Sequence, residues 1–145
     1  MRILISACLL GCACRYDGKS KPCNAAKELA HAYELVPFCP EIYGGLPTPR
    51  LPSEIVGDKV INKNGEDVTA EYLRGAMEAL SIAKELGCTA AVLKAKSPSC
   101  GKGQVYDGSF SATLKDGNGV TAQMLMEHGI PVFCENEIDI LVAQK

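Results

Sequence analysis

Apolar residues recur along this chain in two rhythms. Residues 3–8, 35–39, 90–94 and 131–134 are nearly continuous apolar runs, the pattern of short strands covered on both faces. The segments between them follow a helical spacing. Residues 22–33 are alanine-rich and amphipathic. Residues 69–86, TAEYLRGAMEALSIAKEL, open at Thr69 as an N-cap and stop at Gly87. Leu73, Ala76, Met77, Leu80, Ala83 and Leu86 recur there at intervals of three and four, which predicts one buried face. A third helix is predicted over 121–128, before Gly129, and a last one over 137–143.

Strands alternating with helices predict an α/β fold: a mainly parallel sheet with helices on both faces, Rossmann-like, in a single domain spanning 1–145. Two segments break the rhythm. Residues 55–68 hold Gly57-Asp58 and Asn64-Gly65, turn pairs that predict a small hairpin. Residues 101–119 hold five glycines and read as a long functional loop.

Composition narrows the function classes. The 145 residues suffice for a packed core without disulfide staples. The 15 basic residues are scattered among 17 acidic ones, so no nucleic-acid surface is expected. No apolar run reaches the roughly 18 residues of a membrane span. The N-terminal run ending Leu9-Leu10-Gly11-Cys12 imitates a lipoprotein signal, but its basic region is one arginine and the run is short. It is read as a strand, in a cytoplasmic, reducing setting where clustered cysteines bind metal more often than they pair.

The eight cysteines then become informative. Cys8 and Cys39 end the first two predicted strands, and Cys100 follows the third by a few residues. Ligands of open parallel sheets bind beyond the carboxyl ends of the strands. The three thiols are therefore expected to converge on one rim, where Cys134, ending the fourth strand, could join them. Cys23 and Cys88 read as small hydrophobes. Cys12 and Cys14 match no metal-binding spacing, and no C-x-x-C occurs. Four thiolates would suit structural zinc. Three with an open position would suit an iron–sulfur cluster with one iron free to act as a Lewis acid.

Longer motifs add a family resemblance. Ser6-Ala7-Cys8-Leu9-Leu10-Gly11, Cys14-Arg15-Tyr16-Asp17-Gly18, Cys39-Pro40-Glu41, Gly44-Gly45-Leu46-Pro47-Thr48-Pro49-Arg50, Ser97-Pro98-Ser99-Cys100-Gly101 and Tyr106-Asp107-Gly108 occur in that order. Together they resemble the small bacterial family, long catalogued as a domain of unknown function, that is linked to thiouracil desulfidase. The resemblance implies a [4Fe-4S] cluster on Cys8, Cys39 and Cys100, with Glu41 and Ser97 catalytic and Cys134 outside the pattern. It implies a non-redox reaction: hydrolytic removal of sulfur, as hydrosulfide, from a thiolated pyrimidine such as 2-thiouracil. The partner is then a small molecule, a thiolated base or nucleoside.

Several residues keep two readings. Glu41 could be catalytic or a helix-start carboxylate. Ser97 and Ser99 both sit where serine caps a turn. Arg50 could bind an anionic substrate group or pair with a carboxylate. His31 and His128 read as surface residues. Two other functions remain: an iron–sulfur or sulfur-trafficking module without turnover, which needs the thiols but not Glu41, and a zinc-stabilised regulatory domain. The 101–119 loop is expected to set the substrate.

Overall fold

In the computed structural model, which describes residues 1–143, all four apolar runs form strands. The elements in chain order are β1 (Arg2–Ser6), α1 (Asn24–Leu29), β2 (Glu34–Phe38), α2 (Pro40–Tyr43), β3 (Ser53–Val56), β4 (Lys59–Asn62), α3 (Thr69–Glu85), β5 (Cys88–Leu93), β6 (Gln104–Tyr106), β7 (Leu114–Asp116), α4 (Val120–Glu127), β8 (Val132–Cys134) and α5 (Ile138–Ala143). The main sheet has the order β2-β1-β5-β8, and every pairing in it is parallel.

Alternation along the strands feeds two cores. Ile3 and Ile5, with Ala90 and Val92, pack against α1 and α5 through Leu29, Ile138 and Leu141. Leu4, Ala91 and Leu93 point the other way, toward Ala79 and Ala83 of α3 and Leu125 of α4. Both faces are therefore dry, which explains why the strands read as continuous apolar runs.

The long helix corrects the sequence in two ways. Its buried face is Tyr72, Gly75, Ala76, Ala79 and Ala83, whereas Leu73 and Met77 stand 44% and 62% exposed. Close approach is the cause: a Cβ on Gly75 would overlap the Pro40 carbonyl oxygen of α2. Where the neighbouring backbone crosses at Gly75 it admits only small residues, so Leu73 and Met77 turn outward. Thr69 is the first helical residue and not the cap. Its N–H donates to Asp67 Oδ1 at 2.9 Å, and its Oγ1 accepts the Val60 N–H at 2.9 Å, fastening the helix to β4. Gly87, at φ +66°, ends the helix as expected.

Smaller differences bear on the site. Cys8 lies within a 3-10 turn, Ala7–Leu10, past the end of β1. Cys88 opens β5 and is buried as a small hydrophobe would be. Residues 40–43 form a short helix with Glu41 in its first turn. The predicted hairpin is β3–β4, closed around Gly57-Asp58. The 101–119 loop contains a second one, β6–β7, pairing Tyr106 with Leu114. No helix among the described residues is long and apolar enough to cross a membrane.

Candidate active site

The strand order creates the site. From β1 the chain moves outward to β2, then returns past β1 to β5 on its other side. The segments leaving β1, β2 and β5 thus diverge at one switch point, where an open parallel sheet forms its crevice. Ser6 and Cys8 follow β1, Cys39 and Glu41 follow β2, and Lys94, Ser97 and Cys100 follow β5. All of them line one cavity of about 340 Å³.

The three expected thiols are brought together, and a fourth joins them. Cys14 lines the same cavity, beside Cys8 and Cys39. Its carbonyl accepts the Cys39 thiol at 3.7 Å and Arg50 Nη2 at 3.0 Å. On the opposite side Ser6 Oγ donates to Cys100 Sγ at 3.5 Å while accepting the Lys94 N–H at 2.9 Å. Cys12 is exposed, and neither Cys12 nor Cys134 lines the cavity, so Cys134 does not join the rim thiols.

Burial pushes the Cys100 thiol up to about 12. Hydrogen bonding with Cys14, then burial, carries Cys39 well above the usual thiol range. A bond with Cys39 lowers the Cys14 pKa, but its bond with Cys8 and burial outweigh it and push the thiol up to about 11. These soft donors are thus held in a low-dielectric rim where their charged form needs a cationic centre beside it. No three His, Cys, Asp or Glu side chains among the described residues are arranged to hold one metal ion. A set of soft thiol donors lining one rim fits an iron–sulfur cluster, which is held by cysteine thiolates.

Glu41 sits in the first turn of α2, two residues past Cys39. Its Oε1 accepts Arg50 Nε at 3.0 Å and the Tyr72 hydroxyl at 2.8 Å. Arg50 therefore pairs with a carboxylate of the site. Burial works against its charge, but Glu41 outweighs burial and raises its pKa. Arg50 also ties down the neighbouring loop, donating to the carbonyls of Pro47 and Cys14 and to Thr48 Oγ1. Burial and the Glu41 charge raise the Tyr72 pKa, so its hydroxyl stays protonated as a donor. With both donors on Oε1, the orientation of Glu41 is fixed and Oε2 is left for another partner.

The two serines separate. Ser99 is buried and its hydroxyl pairs with Thr121 Oγ1 at 2.8 Å, a structural contact. Ser97 lines the cavity, and its Oγ accepts the N–H groups of Ser99 and Cys100, each at 3.1 Å. Its lone pairs are thereby engaged, and the hydroxyl proton is what it can offer. Ser97 caps the turn and lines the cavity, with its hydroxyl proton committed to neither of these bonds. His31 and His128 are exposed, as expected.

Tyr72, Ser6 and Cys14 escaped the sequence reading. Tyr72 carries no local signal, because it acts through a partner 31 residues away, whereas Ser6 opens the Ser6-Ala7-Cys8-Leu9-Leu10-Gly11 motif. For Cys14 a signal existed, since it opens the Cys14-Arg15-Tyr16-Asp17-Gly18 motif.

Four thiols, a carboxylate and a hydroxyl at the switch point of a parallel sheet define an α/β protein with a metal-cluster type of catalytic cleft. The sequence profile of the 2-thiouracil desulfurase family matches residues 3–137, and the chain belongs to that family. It is 43% identical over 150 residues to the uncharacterized protein YbbK of Bacillus subtilis (strain 168), covering 96% of this chain and 99% of that one. Its structure is similar to that of the [4Fe-4S]-dependent thiouracil desulfidase TudS, with a TM-score of 0.93 and 45% identity over 99% of this chain and 96% of that one.

Proposed function

We propose that this chain is a [4Fe-4S]-dependent desulfidase that hydrolytically removes sulfur from a thiolated pyrimidine such as 2-thiouracil. Cys8, Cys39 and Cys100 hold the cluster, Glu41 and Ser97 are catalytic, and residues 1–145 act as one desulfidase domain. The observation that carries the reading is the free Oε2 edge of Glu41, fixed by Arg50 and Tyr72 in the cavity that the three thiols line.

When bound, the cluster supplies a Lewis-acidic iron that polarises the thione sulfur. The chain's own residues do the rest. Glu41 Oε2 accepts a proton from the attacking water and returns it as hydrosulfide leaves. Tyr72 and Arg50 hold that carboxylate in place while the proton moves. Ser97 donates its hydroxyl hydrogen bond to the substrate or the water. Ser6 donates toward the Cys100 sulfur, a contact of the kind that tunes cluster ligands. The reading places the protein in a reducing, cytoplasmic setting, where thiols stay available as cluster ligands.

The test is anaerobic reconstitution followed by an assay for uracil and hydrosulfide from 2-thiouracil. Glu41→Gln is expected to keep its iron and lose turnover by about 10² to 10⁴-fold. Full turnover in that variant would support a trafficking module instead. Serine at Cys8, Cys39 or Cys100 is expected to lose iron, whereas Cys134→Ser keeps it.

A further inference from the structure

Three non-glycine residues among those described have a left-handed backbone: Lys96 at φ +70°, Phe110 at φ +56° and Ala112 at φ +60°. All three line the cavity of the candidate active site. A bulky residue in this region is a genuine outlier, and such strain persists only where surrounding contacts over-determine it.

For Phe110 those contacts are visible. Glu54, a carboxylate the desulfidase reading does not use, is only 8% exposed on β3. Its Oε1 accepts the backbone N–H of Gly108 at 2.9 Å and of Phe110 at 3.2 Å. Gly108 lies so close to β3 that an added Cβ would stand 2.8 Å from the Ile55 carbonyl oxygen. Asp107 Oδ1 accepts the Ser109 N–H at 2.9 Å, which closes the turn between them. The tip of the β6–β7 hairpin is thus clamped onto the β3–β4 hairpin. The clamp fixes Phe110 in a conformation its side chain disfavours.

We propose that Phe110 is the ring-stacking residue of the substrate site and Glu54 the positioning residue that presents it. This rests on the desulfidase reading and names the part of the 101–119 segment that recognises the substrate. A thiolated pyrimidine is a flat ring whose polar edges face Glu41, Ser97 and the thiols. Its π-face needs an aromatic or apolar wall. Phe110 supplies that wall and keeps bulk water from a reaction that uses one water. Stacking is indifferent to ring substituents, so it sets the substrate class and leaves discrimination between thiolated rings to the polar edge.

The test compares wild type with Phe110→Ala, Phe110→Tyr, Phe110→Gly and Glu54→Gln as anaerobically reconstituted proteins. The readouts are kcat and KM on 2-thiouracil, calorimetric Kd for uracil, and melting temperature. Phe110→Ala is expected to raise KM and Kd by about tenfold or more, with a smaller change in kcat. Phe110→Tyr restores both. Glycine accepts positive φ freely, so Phe110→Gly should melt no lower than wild type yet bind as poorly as the alanine variant. In Glu54→Gln, amide exchange should accelerate at residues 108–112 alongside weaker uracil binding. Unchanged KM and Kd in both the alanine and glycine variants would overturn the proposal. So would a lower melting temperature in Phe110→Gly with normal binding, because Phe110 would then be a packing residue. If wild type binds the rings but never releases hydrosulfide, the desulfidase reading fails while the Kd series still decides the role of Phe110. If it binds neither ring, both fail.

Discussion

Tyr72 on the long helix α3 donates its hydroxyl to Glu41 on α2 across 2.8 Å. The bond joins a buried aromatic residue to the one cavity carboxylate placed two residues from a rim thiol. Tyr72→Phe removes it with little change in volume. Hydrogen bonds to charged groups contribute about 1.5–3 kcal/mol, so turnover should fall by tenfold or more with iron content unchanged. Normal kcat in steady-state assays of that variant would remove Tyr72 from the mechanism.

Ser97 and Ser99 should behave differently when replaced by alanine. Ser97→Ala loses the cavity donor and strips an acceptor from two backbone N–H groups, so it should lose turnover and roughly 1–3 kcal/mol of stability. Ser99→Ala loses only the Thr121 contact and should melt lower while keeping kcat once loaded. The pair is measured by denaturant unfolding alongside turnover per iron. Equal loss of kcat in both would dissolve the distinction.

Gly75→Ala would drive a methyl group into the Pro40 carbonyl. Because α2 carries Glu41, the strain should reach the site. A loss of about 2 kcal/mol or more is expected, with turnover falling further than it does when Leu73 or Met77 on the exposed face is changed. Chemical denaturation and kcat together check it.

Acid should loosen the anchor of the 101–119 segment. Glu137 accepts the Cys134 N–H at 3.0 Å and Lys102 Nζ at 3.0 Å. Burial pushes its pKa up, but these two partners outweigh burial and hold it below the ordinary 4.5. A carboxylate depressed in the folded state contributes stability that is present above its unfolded pKa and lost as pH falls through the folded value. Melting temperature should therefore decline below about pH 4.5, more steeply in wild type than in Glu137→Gln. Parallel curves for the two proteins would exclude the contribution.

Much of this protein was decided by the order of its residues. Four two-sided apolar runs alternating with helical spacing dictate a covered parallel sheet. The segments that leave those strands then carry Cys8, Cys39 and Cys100 to one rim. The resemblance of their motifs to the family singled out Glu41 and Ser97, since proximity to a rim cysteine alone favours Ser99 over Ser97. Three-dimensional proximity settled the rest. Leu73 and Met77 looked like the core of α3, yet packing against α2 selected Gly75 and Ala79, since periodicity records which residues are apolar and not how closely a neighbour approaches. Arg50 could have faced substrate or a carboxylate until folding set it against Glu41. Ser97 and Ser99 became distinct only when Thr121 took the hydroxyl of one and the cavity received the other. Tyr72 meets Glu41, and Glu54 meets Gly108 and Phe110, only after the chain has closed on itself, and contacts between distant residues leave no spacing for a sequence to display.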